Sequence, residues 1–356
     1  MNKKIAVIII NYKDYARKFL KECRDSLRLQ NYPKDLIQVY IVDNSSSKES
    51  IKYLSETYPE AKIIPRNDGN YSAANNAGFQ QAILDGFEYF VVANMDVRFH
   101  KDCLSELLYA IDSDNSIGIA QSKILLYPKN NEEWSHPRIN SIGNIVHYLG
   151  FGYTKEYNSL DREIDGLPEI VYASGCAYII KKELLKIIGG YNEEYYMYHD
   201  DLEIGWKTIL AGYKIVLAPR SIVYHKYEFD RSIQMVYYME RNRYLTILTY
   251  YKILTLVLIF PALLIMDFGM FFYSIKNGWF KDLWKVYAYF YKFSTWKKIR
   301  VERKKVKKIR IKKDKEIIKN FSGKILFQEI DNPVLKYIAN PVLNIYWQVV
   351  KRLIIW

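Results

Sequence analysis

Cysteine is scarce in this chain, and its three cysteines form no pattern typical of a metal site or a disulfide framework. Cys23, Cys103 and Cys176 lie far apart, without a CxxC pair or a Cys/His spacing that binds zinc. Free thiols suit a reducing compartment. Internal repeats and low-complexity linkers are also missing, while half of the 356 residues are apolar. This composition excludes a disordered protein and predicts one large domain or two ordinary ones.

A long apolar leader is missing from the N-terminus. The run from Ile5 to Ile10 is too short for the hydrophobic part of a signal peptide, and polar residues follow it. We therefore expect the N-terminal part of the chain to lie in the cytosol.

Most of the chain carries no excess of positive charge. The formal net charge is +13, yet residues 276–356 contain 21 Lys plus Arg against 6 Asp plus Glu. The densest stretch, from Lys297 to Lys315, reads KKIRVERKKVKKIRIKKDK. It indicates contact with phosphates of anionic lipid headgroups or of nucleic acid, or else a solvated charged helix.

Short β-branched runs alternate with helix-like stretches in the first hundred residues. Such continuous apolar strands predict a mostly parallel sheet with helices on both faces. The strand-like runs are IAVIII, VYIVD, AKIIP and YFVVAN, and the helix-like stretches are Arg17 to Leu29, Lys48 to Thr57, Ser72 to Leu84 and Lys101 to Ile111. Later strands are predicted at SKILLY, VYASGCAYII and KIVLAP, with helices from Lys181 to Ile188 and from Asp200 to before Gly212.

Polar residues cluster at the carboxyl ends of these strands, where α/β sheets bind their ligands. They are Asn11, Asp43, Asn44, Asn67, Asn94 and Asp96. Asp96 supplies a hard oxygen ligand of the kind that holds a divalent cation against two phosphates, although an Asp there also caps turns. These strand ends predict one ligand crevice.

A pair of acidic residues, Asp200 and Asp201, follows the aromatic stretch YYMY. A carboxylate against apolar walls loses solvation and becomes more basic, as a general base requires. Acids in a first helical turn also complement the helix dipole, so the pair alone leaves both interpretations open.

The chain changes character after Tyr237. Ile253 to Ile275 is long enough to span a bilayer, although Pro261 and Asp267 interrupt it. In the next stretch lysines fall on one helical face and apolar residues on the other, which is typical of a helix in the membrane interface. A single span would separate the cytosolic N-terminal part from the basic tail, so we expect a re-entrant or interfacial segment or a two-span hairpin.

Five motifs occur in a familiar order over about residues 5 to 230. They are VIIINY, VDNSS, NDGNYSAANNAG, NMDV, and GGYNEEYYMYHDDLEIGWKTILAGYKIVLAP followed by YH. In this order the chain resembles family 2 of the inverting, GT-A-type nucleotide-sugar glycosyltransferases, particularly its rhamnosyltransferase-like branch. The resemblance implies a GT-A domain over residues 1–236, followed by a helical, apolar and then polybasic membrane-associating region over residues 237–356.

The resemblance also implies roles for individual residues. Asp43 contacts the nucleotide base with Asn11 nearby, and the loop Asn67 to Asn76, which includes Asn70 and Asn75, lines the nucleoside side of the pocket. Asp96 is the second acid of the family's DxD motif and binds Mn²⁺ or Mg²⁺ at the diphosphate, with Asn94 in place of the first acid. His225 matches a histidine that completes the metal shell in some relatives.

For the acid pair, the resemblance implies that Asp201 is the catalytic base, with Asp200 in place of the family's Glu. Gly175 matches a segment near the acceptor, and Asp200 is expected on that same side. The predicted reaction is metal-dependent inverting transfer of a sugar from a nucleotide diphosphate to a hydroxyl of a glycan or lipid-linked acceptor. We expect it at the cytosolic face of a membrane with anionic lipids.

Three alternatives remain open from the sequence. A sugar nucleotidylyltransferase has a similar fold, but this chain lacks that group's Gly-rich, Arg-containing opening. A nucleic-acid-binding protein would use the Lys-rich segment, although the adjacent apolar run would be costly to leave in water. A non-catalytic scaffold is disfavoured because Asp43, Asp96 and Asp201 are all present. The sequence predicts neither the sugar nor the oligomeric state.

Overall fold

The apolar runs of the sequence form the centre of a nine-stranded sheet. Its strands are β1 (Ile5–Asn11), β2 (Ile37–Asp43), β3 (Lys62–Pro65), β4 (Tyr89–Ala93), β5 (Val97–Phe99), β6 (Ile117–Leu126), β7 (Ile139–Ser141), β10 (Ala177–Lys181) and β11 (Lys214–His225). A separate pair consists of β8 (Asn144–Val146) and β9 (Gly152–Thr154). β1 is buried along its whole length, as expected of a strand covered on both faces.

The sheet is mixed rather than purely parallel. Its strand order is β3-β2-β1-β4-β10-β6-β11-β5, with β7 paired to β6. The first four strands in this order are parallel, and so are β6 and β11. β10 lies antiparallel between β4 and β6. The parallel part therefore aligns the carboxyl ends of β1, β2 and β4, where the predicted ligand crevice lies.

Helices flank this sheet in positions close to those predicted. They are α1 (Tyr15–Arg28), α2 (Lys48–Thr57), α3 (Tyr71–Leu84), α4 (Cys103–Asp112), α5 (Asn131–Ser135), α6 (Lys182–Ile188) and α7 (Asp200–Leu210). α1 buries Ala16, Leu20, Cys23 and Leu27, a spacing of three and four residues that puts them on one face. Ser47 caps the start of α2, because its side chain accepts the N–H of Ser50.

The computed structural model describes residues 3–227, 236–326 and 333–356. These residues form two compact units. Unit 1 comprises Met1–Asn144, Thr154–Thr208 and Tyr213–Tyr227, and unit 2 comprises Ile145–Tyr153, Ile209–Gly212 and Glu228–Trp356, each as far as it is described. The predicted domain boundary between residues 236 and 237 adjoins the undescribed residues 228–235 and stays a prediction.

Unit 2 is mainly helical. Its helices are α8 (Val236–Tyr250), α9 (Ile253–Lys276), α10 (Phe280–Tyr291), α11 (Phe293–Ile309), α12 (Asp314–Ile317) and α13 (Asn340–Leu353). α9 contains Pro261 and continues through it. Among the described residues it is the one helix long and apolar enough to cross a membrane.

The structure buries part of the apolar side of α10. Its apolar side, which the sequence assigned to the membrane interface, includes Leu283 and Val286, and both are fully buried within the protein. Trp284 of the same helix is exposed instead. The apolar side predicted from the sequence also includes Phe293, which is exposed, so the membrane-interface interpretation stays a prediction.

Candidate active site

The ends of β1 and β2 form the first part of the candidate site. In this parallel pair Asn11 lies opposite Asp43, and the Asn11 amide donates to Oδ1 of Asp43 at 2.8 Å. The hydroxyl of Ser50, from α2, donates to the other carboxylate oxygen at 2.5 Å. Asn11 also accepts the backbone N–H of Ala16 at the start of α1. These bonds fix Asp43 in one orientation at the strand end.

Beside this carboxylate, a cleft opens between α1 and α2. Its volume is about 300 Å³, and its lining includes Asn11, Ser45, Ser47 and Ser50. That volume is at the lower end of the range for small-molecule sites. The cleft borders the predicted base-binding residues rather than the acid pair.

The loop after β3 supplies the residues assigned to the nucleoside side. Asn70 caps α3 by accepting the N–H of Ala73, and it donates to the carbonyl of Glu193 at 2.9 Å. Asn75 is buried and donates to the carbonyl of Tyr71, while Asn67 is exposed. Asn70 therefore ties this loop to the segment that precedes the acid pair.

That preceding segment is strained. Tyr196 has φ 65° and ψ −61°, and the N–H of Met197 bonds to the carbonyl of Tyr195 at 2.7 Å, which defines a γ-turn of the rare positive-φ form. Tyr198 and His199 also have positive φ. Left-handed residues other than glycine cost free energy and cluster at functional sites. The carbonyl of Tyr196 accepts the N–H of Tyr71 at 2.8 Å, so this turn also anchors the start of α3.

Asp96 and His225 meet at the end of the sheet. Both are buried, and Oδ1 of Asp96 lies 3.4 Å from Nε2 of His225. Asn140 contacts the other ring nitrogen of His225 at 2.8 Å and orients the imidazole. Burial opposes protonation of His225, but the Cys176 sulfur and the Asp96 carboxylate raise its pKa to about 10. Because burial also raises the pKa of Cys176, its thiol is neutral at pH 7, and we attribute the protonated imidazole to Asp96.

This pair fits part of a divalent-metal site, because an ion that binds there displaces the imidazole proton. Neighbouring ligands of an octahedral ion with bonds of about 2.1 Å lie about 3 Å apart, close to the separation of these two atoms. An oxygen with an imidazole nitrogen suits Mn²⁺ better than Mg²⁺. Within the described ranges, no group of three or more His, Cys, Asp or Glu could hold an ion. Any metal here would take its remaining ligands from groups of other types, from substrate or from water.

The acid pair opens α7. The Asp201 carboxylate accepts the N–H of Gly175 at 3.3 Å and of Leu202 at 2.8 Å. Burial raises the pKa of Asp201, and these two N–H groups oppose that rise. Burial and the neighbouring Asp201 charge raise the pKa of Asp200 well above its ordinary value. Backbone hydrogen bonds also oppose the rise for Asp200, but the charge of Asp201 adds to it, so the pKa of Asp200 is the one raised well above its ordinary value.

Tyr71 is a further candidate site residue, which the sequence did not single out. Its hydroxyl donates to Oδ1 of Asn94 at 3.4 Å and would lie 3.8 Å from a Cβ added at Gly175. Burial and the Asp200 charge raise the pKa of Tyr71, which keeps the phenol neutral. The motif NDGNYSAANNAG contains this tyrosine, but nothing in its spacing shows that the ring reaches the acid pair.

The structure thus joins most of the predicted residues through short contacts. Tyr71 and Gly175 link Asn94 with Asp201, and Cys176, next in the chain, accepts the N–H of Asn94. Asp96 and His225 form a second pair, and Asn11 and Asp43 a third. Asn70 bonds to Ala73 and Glu193 instead, and Asn67 is exposed.

Comparison with known proteins agrees with this geometry. Residues 6–188, more than half of the chain, match the family described as "Glycosyl transferase family 2". The chain belongs to this family, and the protein is a glycosyltransferase with the predicted GT-A fold. The predicted family and enzyme class are confirmed, and the nucleotidylyltransferase and scaffold alternatives lose their support.

Individual relatives are distant. The chain is 26% identical over 251 residues to the low-salt glycan biosynthesis hexosyltransferase Agl10 of Haloferax volcanii, covering 68% of this chain and 74% of the relative. It is 24% identical over 205 residues to the N-acetylglucosaminyl-diphospho-decaprenol L-rhamnosyltransferase of Mycobacterium tuberculosis, covering 53% of this chain and 66% of the relative.

A solved structure supports the fold. The crystal structure of GalNAc-T7 with UDP, GalNAc and Mn²⁺ matches with a TM-score of 0.54 at 14% identity. The match covers 71% of this chain and 49% of that chain. At this identity the likeness concerns the fold and not the substrates.

Proposed function

We propose that this glycosyltransferase transfers a sugar from a nucleoside-diphosphate donor to a hydroxyl group, with inversion at the anomeric carbon. The observation that carries this proposal is the Asp201 carboxylate, which is half-buried and held by the N–H groups of Gly175 and Leu202. Such a carboxylate is oriented and basic, as a general base requires.

The reaction follows from the donor chemistry. Asp201 accepts the proton of the acceptor hydroxyl while the hydroxyl oxygen attacks the anomeric carbon. The bond from that carbon to the diphosphate breaks, and the electron pair leaves with the diphosphate. A single displacement from the face opposite the leaving group inverts the anomeric configuration. Burial favours the reaction because it raises the basicity of Asp201.

Asp96 and His225 are the residues that would hold a divalent ion near the departing diphosphate. Mn²⁺ or Mg²⁺ bound there would supply positive charge that stabilises the leaving group. Asn140 orients His225 for this purpose, and Asn94 contributes an uncharged amide where the DxD motif has its first acid. Asn11 and Asp43, held together by their hydrogen bond, are assigned to the nucleotide base.

The acceptor side is assigned to Gly175 and Asp200, which flank Asp201. Both named relatives act in glycan or lipid-linked saccharide synthesis according to their names. We assign this chain a glycan or lipid-linked acceptor at the cytosolic membrane face. The basic excess of residues 276–356 supports that location, since anionic headgroups attract Lys and Arg.

The test is a donor and product assay with the purified protein. Nucleotide sugars are screened as donors with Mn²⁺, with Mg²⁺ and with a chelator. NMR then determines the anomeric configuration of the glycoside formed with an acceptor or with methanol. The proposal predicts donor-selective, metal-dependent turnover with the inverted anomer. Retention of the anomeric configuration, or equal turnover in chelator, would contradict it.

A further inference from the structure

The apolar helix α9 is covered on one side only. Buried residues recur along its length at Thr255, Ile259, Leu263 and Ser274, packed within unit 2. The opposite side exposes a row of large apolar side chains to solvent. These are Val257, Phe260, Leu264, Phe268, Phe272 and Ile275, each at least 52% exposed. A helix of 24 residues is about 36 Å long, so this row is a large exposed apolar patch.

The C-terminal helix α13 adds a second exposed row beside the first. Val342, Ile345, Val349 and Leu353 are each at least 53% exposed, whereas Trp347 on the other side is fully buried. The hydroxyl of Tyr346 donates to the carbonyl of Leu258 at 2.6 Å. Since Ile345 precedes Tyr346 and Val257 precedes Leu258, both rows adjoin this contact.

Aromatic and basic side chains accompany these rows. Rings of Phe271 in α9 and Phe280 in α10 lie 5.5 Å apart, which joins the end of α9 to the start of α10. From there α10 and α11 expose aromatic residues interleaved with lysines. The aromatic residues are Trp284, Tyr291, Phe293 and Trp296, and the lysines are Lys281, Lys285, Lys292, Lys297 and Lys298. Aromatic rings and lysines are the residues that concentrate at the headgroup level of membranes.

The charged contacts of α9 argue against a transmembrane span. Asp267, near the middle of the helix, accepts a hydrogen bond from Tyr244 and lies 3.7 Å from the fully buried guanidinium of Arg243. At the other end Asp314 accepts the N–H of Lys252 and the hydroxyl of Thr255. A span would carry these charged groups into hydrocarbon, which is costly. The same contacts are satisfied if the helix lies parallel to the membrane.

We propose that unit 2 docks in the plane of a bilayer rich in anionic lipid, with the exposed rows of α9 and α13 in the acyl boundary and the lysines of α10 and α11 at the headgroups. The apolar rows match the acyl chains, and the lysine charge complements the anionic headgroups. This inference rests on the proposed function for the membrane location and chooses the interfacial arrangement over a re-entrant segment or a two-span hairpin.

Flotation of the full chain with vesicles tests the exposed apolar rows of α9 and α13. Vesicles of phosphatidylcholine alone are compared with vesicles that also contain phosphatidylglycerol. Ile345→Ser with Val349→Ser should weaken binding about tenfold or more, because each exposed side chain loses apolar burial. The paired control is Leu84→Ser, an exposed leucine of unit 1. Equal binding by the double variant and the control would overturn the proposal.

Cysteine labelling tests the in-plane arrangement. Lys252→Cys and Asn277→Cys place thiols just before and just after α9, and the three native cysteines are buried. In sealed native vesicles a membrane-impermeant maleimide should label both positions from the same side, whereas opposite sides would indicate a span. Donor turnover of the same variants, measured in detergent, separates the two proposals. Normal turnover by a protein that does not bind vesicles contradicts only the docking surface. Vesicle binding without any turnover contradicts only the proposed function.

Discussion

The backbone N–H of Gly175 donates a hydrogen bond of 3.3 Å to the carboxylate of Asp201, and so joins the start of β10 to the start of α7. The bond needs no side chain at position 175, but the two segments pack closely. A Cβ added at Gly175 would lie in van der Waals contact with Cβ of Asp201, at 3.7 Å. The N–H of Leu202 completes the hold at 2.8 Å. Backbone N–H groups therefore hold the Asp201 carboxylate in one orientation.

Tyr71→Phe tests the tyrosine that borders the acid pair. Loss of the hydroxyl frees the Asn94 amide, so we expect transfer to slow about tenfold while unfolding free energy changes by about 1 kcal/mol or less. Steady-state kinetics should place the loss in kcat rather than in donor KM. The matched control is Tyr32→Phe, which loses a hydrogen bond to Lys3 before β1. Equal kcat for both variants would remove Tyr71 from the site.

Asp200→Asn tests the buried neighbour of the base. Because folding raises the pKa of Asp200 above its ordinary 3.8, the folded state prefers the neutral acid. Its stabilising contribution is present below pH 3.8 and is lost as pH rises towards the folded pKa. Asparagine stays neutral at every pH, so the variant does not lose this stabilising contribution as pH rises. We therefore expect its free energy of unfolding to be about 1 kcal/mol higher at pH 7, with a smaller gain near pH 4. Denaturant unfolding at both pH values measures this, and a gain independent of pH would contradict it.

Asn140→Ala tests the residue that orients His225. Groups that hold a ligating imidazole typically contribute 10–100-fold in metal affinity, so we expect a rise of about that size in the Mn²⁺ concentration for half-maximal activity. Asn31→Ala, at an exposed asparagine bonded to Asp102, serves as control. Unchanged Mn²⁺ dependence in Asn140→Ala would show that His225 does not bind metal.

Gly69→Ala tests the contact between the nucleoside loop and the strained turn. Gly69 has φ +67°, and an added Cβ would lie 2.5 Å from the Tyr196 hydroxyl. Gly86 has φ +84° with nothing within 4 Å, so Gly86→Ala measures backbone strain alone, about 1–2 kcal/mol. We expect Gly69→Ala to lose more stability than this and to raise the donor KM. Equal stability losses would mean that Tyr196 simply moves aside.

The sequence predicted the elements that local signals determine. Helix α2 has the predicted bounds, and β1 is buried throughout, because continuous apolar runs and clear caps determine these elements locally. The antiparallel position of β10 between β4 and β6 was not predicted, since pairing depends on the whole sheet. β11 extends past Pro219 to His225 through a register shift, so the predicted strand KIVLAP is only its first half.

The candidate site residues likewise divide into those predicted from the sequence and those that the sequence missed. Asp43, Asp96 and Asp201 lie at or just after strand ends or at the start of a helix, and motif order was enough to propose them as site residues. Tyr71 and Asn140 were missed because their roles arise from long-range contacts, with Asn94 and His225 respectively. Helix α13 was missed because the basic residues before it dominated the composition of the tail.

The most direct test of the account is turnover by Asp201→Asn at saturating donor and metal. Loss of a general base typically costs a factor of about 10²–10⁴, so we predict a fall of that size in kcat with donor affinity by calorimetry unchanged. Asp35→Asn makes the same chemical change at an exposed position before β2, at the opposite end of that strand from Asp43, and should keep full activity. Transfer by Asp201→Asn at the rate of Asp35→Asn would contradict the account.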